Sequence, residues 1–274
     1  MNVSPHVVAI GGGGGASQVL RAVQPFAERL TAIIAVTDTG RSTGLARAIG
    51  GIPAPGDLRA TIANFATDPQ IAALLQHRFS GAGIPQLEGM AFGNLLLAAL
   101  GQQLGDFGAA VQYTARLAGS AATVLPVSVA NTDICAELAD GQVVRGEVNV
   151  RSLGQPPITC LFLPAPAPAL PAALDAIRTA DLIVVGPGSL FTSLLANLLF
   201  TGMAAALAET RGKVVFVCNT TTQPGQTDGY TTLDHVRRMV EALGPGTLDA
   251  ALINRSTLDP ARQARFAAEG LLLL

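Results

Sequence analysis

Five consecutive glycines follow a short apolar run and precede a helical pattern. The apolar run is His6–Ile10 (HVVAI), and the helical pattern extends from about Ala16 to Leu30. Glycine tolerates positive φ and, lacking a side chain, lets an anion approach the backbone amides. A helix start adds free N–H groups and a partial positive charge. This order predicts a binding turn for a phosphate or carboxylate, closest to the ligand at Gly13, formed by Gly11, Gly12, Gly13, Gly14, Gly15 and Ala16.

The same turn also fits the dinucleotide pattern Gly11-x-Gly13-x-x-Ala16. Asp38 directly follows the apolar run Thr31–Thr37, where it can accept from a ribose hydroxyl. An NAD(P)-binding oxidoreductase is therefore one alternative function. A Walker P-loop is excluded because no Gly-Lys-Ser/Thr follows the glycines.

Short β-rich runs alternate with longer helical ones along the 274 residues. Such alternation is typical of a parallel sheet covered on both faces. We therefore expect an α/β, Rossmann-like, doubly wound fold with a mainly parallel sheet. The clearest helical patterns include Phe107–Leu117, Leu190–Glu209 and Thr232–Leu243, whereas Asp38–Gly56 lacks periodicity and predicts a long binding loop.

One segment differs in kind. Ala122–Arg151 alternates apolar and polar residues around the turn Asp140-Gly141, which predicts an antiparallel hairpin. We expect this excursion to span about residues 122–163, with Ile158–Leu163 returning to the main sheet. No shift in composition divides the chain, so residues 1–274 are expected to form a single domain.

Composition excludes several classes of protein. The net charge is −2, which disfavours a nucleic-acid partner because backbone binding requires a concentrated Lys/Arg surface. The 3 cysteines show no C-x-x-C spacing, as expected in a reducing cytosol. No secretory pattern begins the sequence, and no apolar stretch reaches the ~20 residues that cross a bilayer. We expect a cytoplasmic protein without a membrane partner.

Two further turns resemble the first in position. GPGS follows the strand-like run DLIVV, and a polar loop follows the run KVVFVC. In open parallel sheets, ligands bind outside the carboxyl ends of the strands, so the three turns are expected to share one crevice. The residues predicted to contact the ligand there are Gly186, Pro187, Gly188, Ser189, Thr192, Asn219, Thr222, Gln223 and Gly225.

Three polar residues lie at predicted helix starts. Asp57 either caps a helix or takes part in the site, and Arg59 can bind a phosphate bidentately. Asn94 follows Gly93 and either caps a helix or contacts the ligand. We include all three, together with Asp38 and Thr39, among the candidate ligand-binding residues.

Six separated blocks recur in a characteristic order. They are GGGGGAS, AVTDTGRSTGLAR, GIPAPGDLRATIANFA, LEGMAFGNLLLAAL, ADLIVVGPGSLFTSLLANLL and CNTTTQPGQTDGYTTLDHV. Together they resemble the gluconeogenesis-factor family of the CofD-like superfamily, whose namesake is the 2-phospho-L-lactate transferase. The resemblance implies a Rossmann-like fold, a cytoplasmic location, UDP-sugar binding, and a role in gluconeogenic growth and in cell shape or wall synthesis.

The chain departs from this family at two positions that bear on chemistry. Gly14 stands where a threonine is usual, and Thr39 where a second aspartate would follow Asp38. Because a carboxylate pair suits Mg²⁺, its loss favours a nucleotide-sugar-binding regulatory protein over a divalent-metal phosphotransferase. If the transferase reaction persists, Asp38 and Asp57 are its candidate catalytic residues and Asp38 is the candidate Mg²⁺ ligand. The apolar carboxyl end is the candidate surface of a homodimer.

Overall fold

The computed structural model describes residues 5–81, 83–256 and 258–274. Within these ranges the strands are β1 His6–Gly11, β2 Arg29–Ile34, β3 Thr123–Pro126, β4 Cys135–Leu138, β5 Val143–Arg145, β6 Ile158–Phe162, β7 Leu182–Val185, β8 Lys213–Val217 and β9 Ala250–Leu252. Six of them form a parallel sheet in the order β3-β2-β1-β7-β8-β9. The predicted α/β, doubly wound architecture is confirmed.

Helices flank this sheet. They are α1 Gly13–Val23, α2 Arg41–Gly50, α3 Gly56–Phe65, α4 Pro69–Gln76, α5 Phe92–Leu104, α6 Phe107–Leu117, α7 Glu147–Val150, α8 Pro171–Arg178, α9 Ala196–Leu198, α10 Met203–Glu209, α11 Thr232–Leu243 and α12 Pro260–Ala268. A short 3₁₀ turn, Gln24–Phe26, follows α1, and a π-helical stretch, Leu190–Leu195, precedes α9. All six residues of β1 are buried, as expected for a central strand covered on both faces.

Local sequence explains where several helices begin. Thr231 and Asp234 form a reciprocal capping box at the start of α11. Asp68 accepts from two backbone N–H groups at the start of α4, and Pro69 occupies its first turn. The predicted bounds of α6 and α11 are confirmed to the residue.

Three predictions about helices were wrong. The first helix, expected to reach about Leu30, ends at Val23, and β2 begins at Arg29. The supposed loop Asp38–Gly56 contains α2, and the residue that caps its end, Gly51, adopts the left-handed conformation. The predicted continuous helix Leu190–Glu209 is interrupted. Gly202 adopts φ +99°, and α10 begins after it at Met203. Glycine permits that conformation at low cost, and a periodic apolar pattern does not record it.

The antiparallel excursion is real, but its connection to the main sheet differs from the prediction. β4 pairs with β5 across the expected Asp140-Gly141 turn, which confirms the hairpin. β3, at the start of the excursion, instead joins the main sheet parallel to β2. Ile158–Leu163 does not return to that sheet: β6 pairs antiparallel with β4 and completes a separate three-stranded sheet. An apolar run predicts that a strand forms, but it does not predict which strand it pairs with.

Candidate functional site

The carboxyl ends of β1, β7 and β8 lie side by side, because these strands are neighbours in the parallel sheet. From β1 the sheet continues to β2 and β3, and from β7 it continues in the other direction to β8 and β9. The strand order therefore reverses between β1 and β7. Open α/β sheets bind ligands in the crevice outside such a switch point. The three turns predicted to share a crevice lie at this edge.

These turns are in direct backbone contact. A Cβ atom on Gly15 would overlap the carbonyl oxygen of Pro187. The side-chain N–H of Asn197, on α9, donates to the carbonyl oxygen of Gly11 at 3.2 Å, which ties the end of β1 to the helical segment after the second turn. A Cβ on Gly186 would lie 2.7 Å from the carbonyl oxygen of Val217, the last residue of β8. The turns thus form a continuous, tightly packed backbone surface at this edge of the sheet.

Within the glycine run only Gly14 faces open space. A Cβ on Gly13 would lie 2.6 Å from the carbonyl oxygen of Asp57, whereas a Cβ on Gly14 would meet nothing within 4 Å. Gly12 precedes α1 as its N-cap and offers no side-chain cap. The expectation that Gly13 lies closest to a ligand is therefore corrected: Gly13 packs against α3, and Gly14 is the exposed position at the start of α1.

Asp57 lies beside this helix start. A Cβ on Gly12 would come within 3.0 Å of its carboxylate. Burial raises the pKa of Asp57, the hydrogen bond from the Gly13 backbone opposes that rise, and the nearby charge of Asp38 adds to it. The Asp57 carboxylate thus lies beside the Gly13 amide at the start of α1. The side of the helix start left for an anionic ligand is the one around Gly14.

The antiparallel excursion packs near Asp38 through Glu147, a residue that the sequence analysis did not identify. The carboxyl group of Glu147 lies near that of Asp38, and Arg151 donates to Glu147 at 2.8 Å. Burial raises the pKa of Glu147, Arg151 lowers it and Asp38 raises it. Thr39 accepts from the backbone N–H of Val148 at 3.2 Å, so it anchors α7. The Glu147/Arg151 spacing of four residues on one short helix was the available signal.

Among the residues that the structure describes, the acidic ones around Asp38 form a pair and not a larger cluster. Over residues 5–81, 83–256 and 258–274, no three side chains of His, Cys, Asp or Glu are grouped so that they could hold a metal ion. Asp38 accepts from the backbone N–H of Gly40 at 2.7 Å, which directs one carboxylate oxygen into its own loop. Because Mg²⁺ is commonly held by one or two carboxylates together with phosphate oxygens and water, the role of Asp38 as a Mg²⁺ ligand stays a prediction.

Arg59 and Asn94 lie together, away from the glycine turn. Arg59 and Asp57 are two residues apart on α3, about 200° around the helix, so they occupy opposite faces. The Nε atom of Arg59 donates to the side-chain oxygen of Asn94 at 3.2 Å, and its Nη1 atom donates to Gln76. Burial lowers the pKa of Arg59, and the positive charge of Arg78 lowers it further. The sequence alone does not predict which way the side chains of Arg59 and Asn94 point.

The hydroxyl groups of the second turn are hydrogen-bonded within the protein. Thr192 donates to the Ser189 hydroxyl at 2.8 Å, and Ser189 donates to the side-chain oxygen of Gln226, also at 2.8 Å. Gly186 adopts φ +90° and is followed by a cis peptide bond to Pro187. Gln226, which is buried, braces this turn from the loop after β8.

The third segment leaves two buried acceptors without partners. In the described part of the chain, neither the Asn219 side-chain oxygen nor that of Gln223 has a hydrogen-bond partner. Thr222, in contrast, exchanges two hydrogen bonds with Leu272, and Gly225 packs against the Ser152 carbonyl. Because buried polar atoms are nearly always paired, Asn219 and Gln223 are the residues of this segment that call for a ligand or water donor.

A six-stranded parallel sheet with glycine-rich turns at its switch point and an antiparallel excursion defines a Rossmann-like α/β protein. The chain belongs to the family described as 2-phospho-L-lactate transferase CofD, which matches residues 7–271.

Known relatives place it among the gluconeogenesis factors of that family. It is 39% identical over 268 residues to a putative gluconeogenesis factor of Nostoc sp., covering 97% of this chain but 58% of the relative. It is 37% identical to the gluconeogenesis factor of Bacillus subtilis, covering 98% of this chain and 84% of the relative. A crystal structure of a Bacillus halodurans protein, 37% identical, superposes with a TM-score of 0.93 over 99% of this chain and 87% of that one. The chain thus spans little more than half of the Nostoc relative.

A separate observation concerns membranes. None of the helices in the described ranges combines the length and the apolar character that a bilayer crossing demands.

Proposed function

We propose that this protein is a regulatory protein of the gluconeogenesis-factor type that binds a nucleotide sugar, of the UDP-sugar kind, in the switch-point crevice. The observation that carries the proposal is the pairing of an uncapped, exposed helix start at Gly14 with unpartnered buried oxygens on Asn219 and Gln223. The first suits a phosphate, and the second suits N–H or O–H donors on a base or sugar. A nucleotide sugar carries both kinds of group.

Each part of such a ligand has a candidate partner. The α1 start would hold a phosphate, because its backbone N–H groups and partial charge favour anions. Asp38 would accept from a ribose or sugar hydroxyl. The hydroxyls of Ser189 and Thr192 support the second turn through Gln226 rather than offering free donors. A role in gluconeogenic growth and in cell shape or wall synthesis belongs to this proposal through the relatives' names and the sequence resemblance.

The test is a ligand titration read by melting temperature. Purified protein is mixed separately with UDP-N-acetylglucosamine, GDP, NAD and Mg²⁺. A ligand at about 100 to 1,000 times its Kd adds about 3–4 kcal/mol to the free energy of unfolding, so the UDP-sugar should raise the melting temperature clearly. A shift with NAD alone would instead favour the oxidoreductase.

A matched pair of variants locates the site. Gly14→Leu should fold, since its side chain enters open space, yet should lose the ligand-induced shift because the side chain covers the helix start. Gln18→Leu, one turn later on the exposed surface of α1, should keep the shift. Normal binding by Gly14→Leu would place the ligand elsewhere.

The transferase alternative has its own observation, the adjacent carboxylates of Asp38 and Glu147. It predicts a chemical product when nucleotide and acceptor are incubated with a divalent metal. Asp38→Asn should then abolish product formation while leaving ligand binding measurable. The regulatory proposal expects binding without product under the same conditions.

A further inference from the structure

A second charged cleft lies on the far side of α3 from the glycine turn. Its volume is about 440 Å³, and it lies between the start of α2 and the segment from Arg78 to Met90. Arg41 and Arg78 line it, together with Ser42 and Glu88. Neither the glycine turn nor the Asn219–Gln223 segment contributes to its lining.

Buried Arg59 lies behind this cleft. It is 6% exposed, and it connects to the lining through Asn94, whose side-chain N–H donates to the Ser42 hydroxyl at 3.0 Å. Arg78 is near enough for its charge to lower the pKa of Arg59. Three arginines thus share one small region.

No carboxylate of the described residues forms an ion pair with them, although the negative charge of the more distant Asp57 raises the pKa of Arg59. Among the ion pairs of the described residues, none within 4.0 Å involves Arg41, Arg59 or Arg78. The one acidic residue of the lining, Glu88, accepts from the backbone N–H of Gly81 at 3.1 Å. Clustered like charges in a partly buried region are unfavourable unless a counter-charge joins them.

Two helix starts add to the positive charge of this cleft. α2 begins at Arg41 and α5 begins at Phe92, and neither has a side-chain cap. They meet at Ser42, whose hydroxyl accepts from the backbone N–H of Ala91 at 3.0 Å. Each helix start contributes a partial positive charge on the same side as the arginines.

We propose that this basic cleft, lined by Arg41, Arg78 and Ser42 with Arg59 behind it, is a second binding site for a small anion carrying phosphate or carboxylate groups. Arg41 and Arg78 bind the anion at the mouth, because guanidinium groups match both kinds of oxyanion. Arg59 supplies charge from behind and is held in place by Asn94 and Gln76. The inference does not depend on the proposed function of the glycine crevice.

Calorimetric titration at low ionic strength tests the inference. The probes are inorganic pyrophosphate and citrate, which separate a phosphate ligand from a carboxylate ligand. The variants are Arg41→Gln, Arg78→Gln and the double variant, all at exposed positions, so that folding is preserved. Arg211→Gln is the matched control: this arginine is exposed and lies next to β8 at the opposite, amino end of the sheet.

We expect at least one probe to bind the wild-type protein and each single variant to weaken binding about tenfold, since hydrogen bonds to charged groups contribute on that scale. The double variant should lose binding by roughly a hundredfold, and Arg211→Gln should match the wild type. Absence of binding by both probes would overturn the inference. So would unchanged affinity in the double variant, or equal loss in Arg211→Gln.

The Gly14→Leu variant separates this site from the crevice. Its affinity for the probes should equal that of the wild type, because the cleft does not include the glycine turn. Loss of probe binding in Gly14→Leu, with retention in the double arginine variant, would assign the anion to the crevice and refute the second site. A second readout is hydrogen exchange over residues 78–92, which the anion should slow in the wild-type protein.

Discussion

The turn after β1 and the turn after β7 are both rich in glycine, yet their glycines meet different constraints. In the first, Gly13 and Gly15 lie against the backbone of neighbouring segments, and their φ angles are ordinary. In the second, Gly186 has φ +90° and is also crowded by the Val217 carbonyl. The first turn needs small residues, whereas the second needs an unusual backbone conformation as well.

The comparison separates packing from ligand access. Two glycines of the first turn serve the contact between α1, α3 and the second turn, and only Gly14 remains open. In the second turn the hydroxyls of Ser189 and Thr192 are bound within the protein. A glycine-rich sequence therefore marks a place where backbones approach, and a ligand position has to be argued residue by residue.

The largest effect is expected for Gly15→Ala. Its methyl group would overlap the Pro187 carbonyl, a backbone atom that cannot rotate away, so the free energy of unfolding should fall by about 3 kcal/mol or more. Urea unfolding followed by circular dichroism measures this change. Wild-type stability in this variant would show that the two turns are not in contact.

Gly186→Ala should come next. The positive φ and the contact with the Val217 carbonyl together should cost about 2–3 kcal/mol in the same assay. The control is Gly229→Ala, where φ is +74° but nothing lies within 4 Å, so that only the cost of conformation, about 1 kcal/mol, remains. Equal losses at both positions would mean that crowding contributes nothing to the second turn.

Gly14→Ala should act in the opposite direction. Gly14 is exposed and lies in the first turn of α1 with open space around its Cα. Alanine should therefore stabilise the protein by about 0.5–1 kcal/mol, because it reduces the freedom of the unfolded chain. A destabilised Gly14→Ala protein would contradict the distinction between Gly14 and Gly15.

The smallest effect concerns pH near the second turn. His235 is buried on α11 against Tyr230, next to the loop that holds Gln226, and burial lowers its pKa. The unfolded chain then binds more protons than the folded one, so stability should decrease as the pH falls through the unfolded value of about 6.5.

Urea unfolding between pH 8 and pH 5 measures that dependence. In His235→Gln the slope should decrease without vanishing, because burial also lowers the pKa of His6. An unchanged slope would show that His235 does not contribute to the pH dependence of stability.

Much of the fold followed from local sequence. The strand–turn–helix order at Gly11, the Asp140-Gly141 hairpin and the bounds of α6 and α11 all depend on neighbours within a few residues. The three turns were also expected at one edge, since parallel strands place their carboxyl ends together. The sequence analysis missed α2 and the break at Gly202, because their apolar patterns are weak or misleading.

By itself, the sequence determined the α/β class, the alternation of strands and helices, and the location of the glycine turns, because periodicity and turn chemistry act over short distances. Only the tertiary structure decided that β6 pairs with β4, that Glu147 lies near Asp38, and that Arg59 faces Asn94. It also decided that Gly14 is open while Gly13 and Gly15 are not. Such contacts join residues that are distant in sequence, so packing of the whole chain selects them.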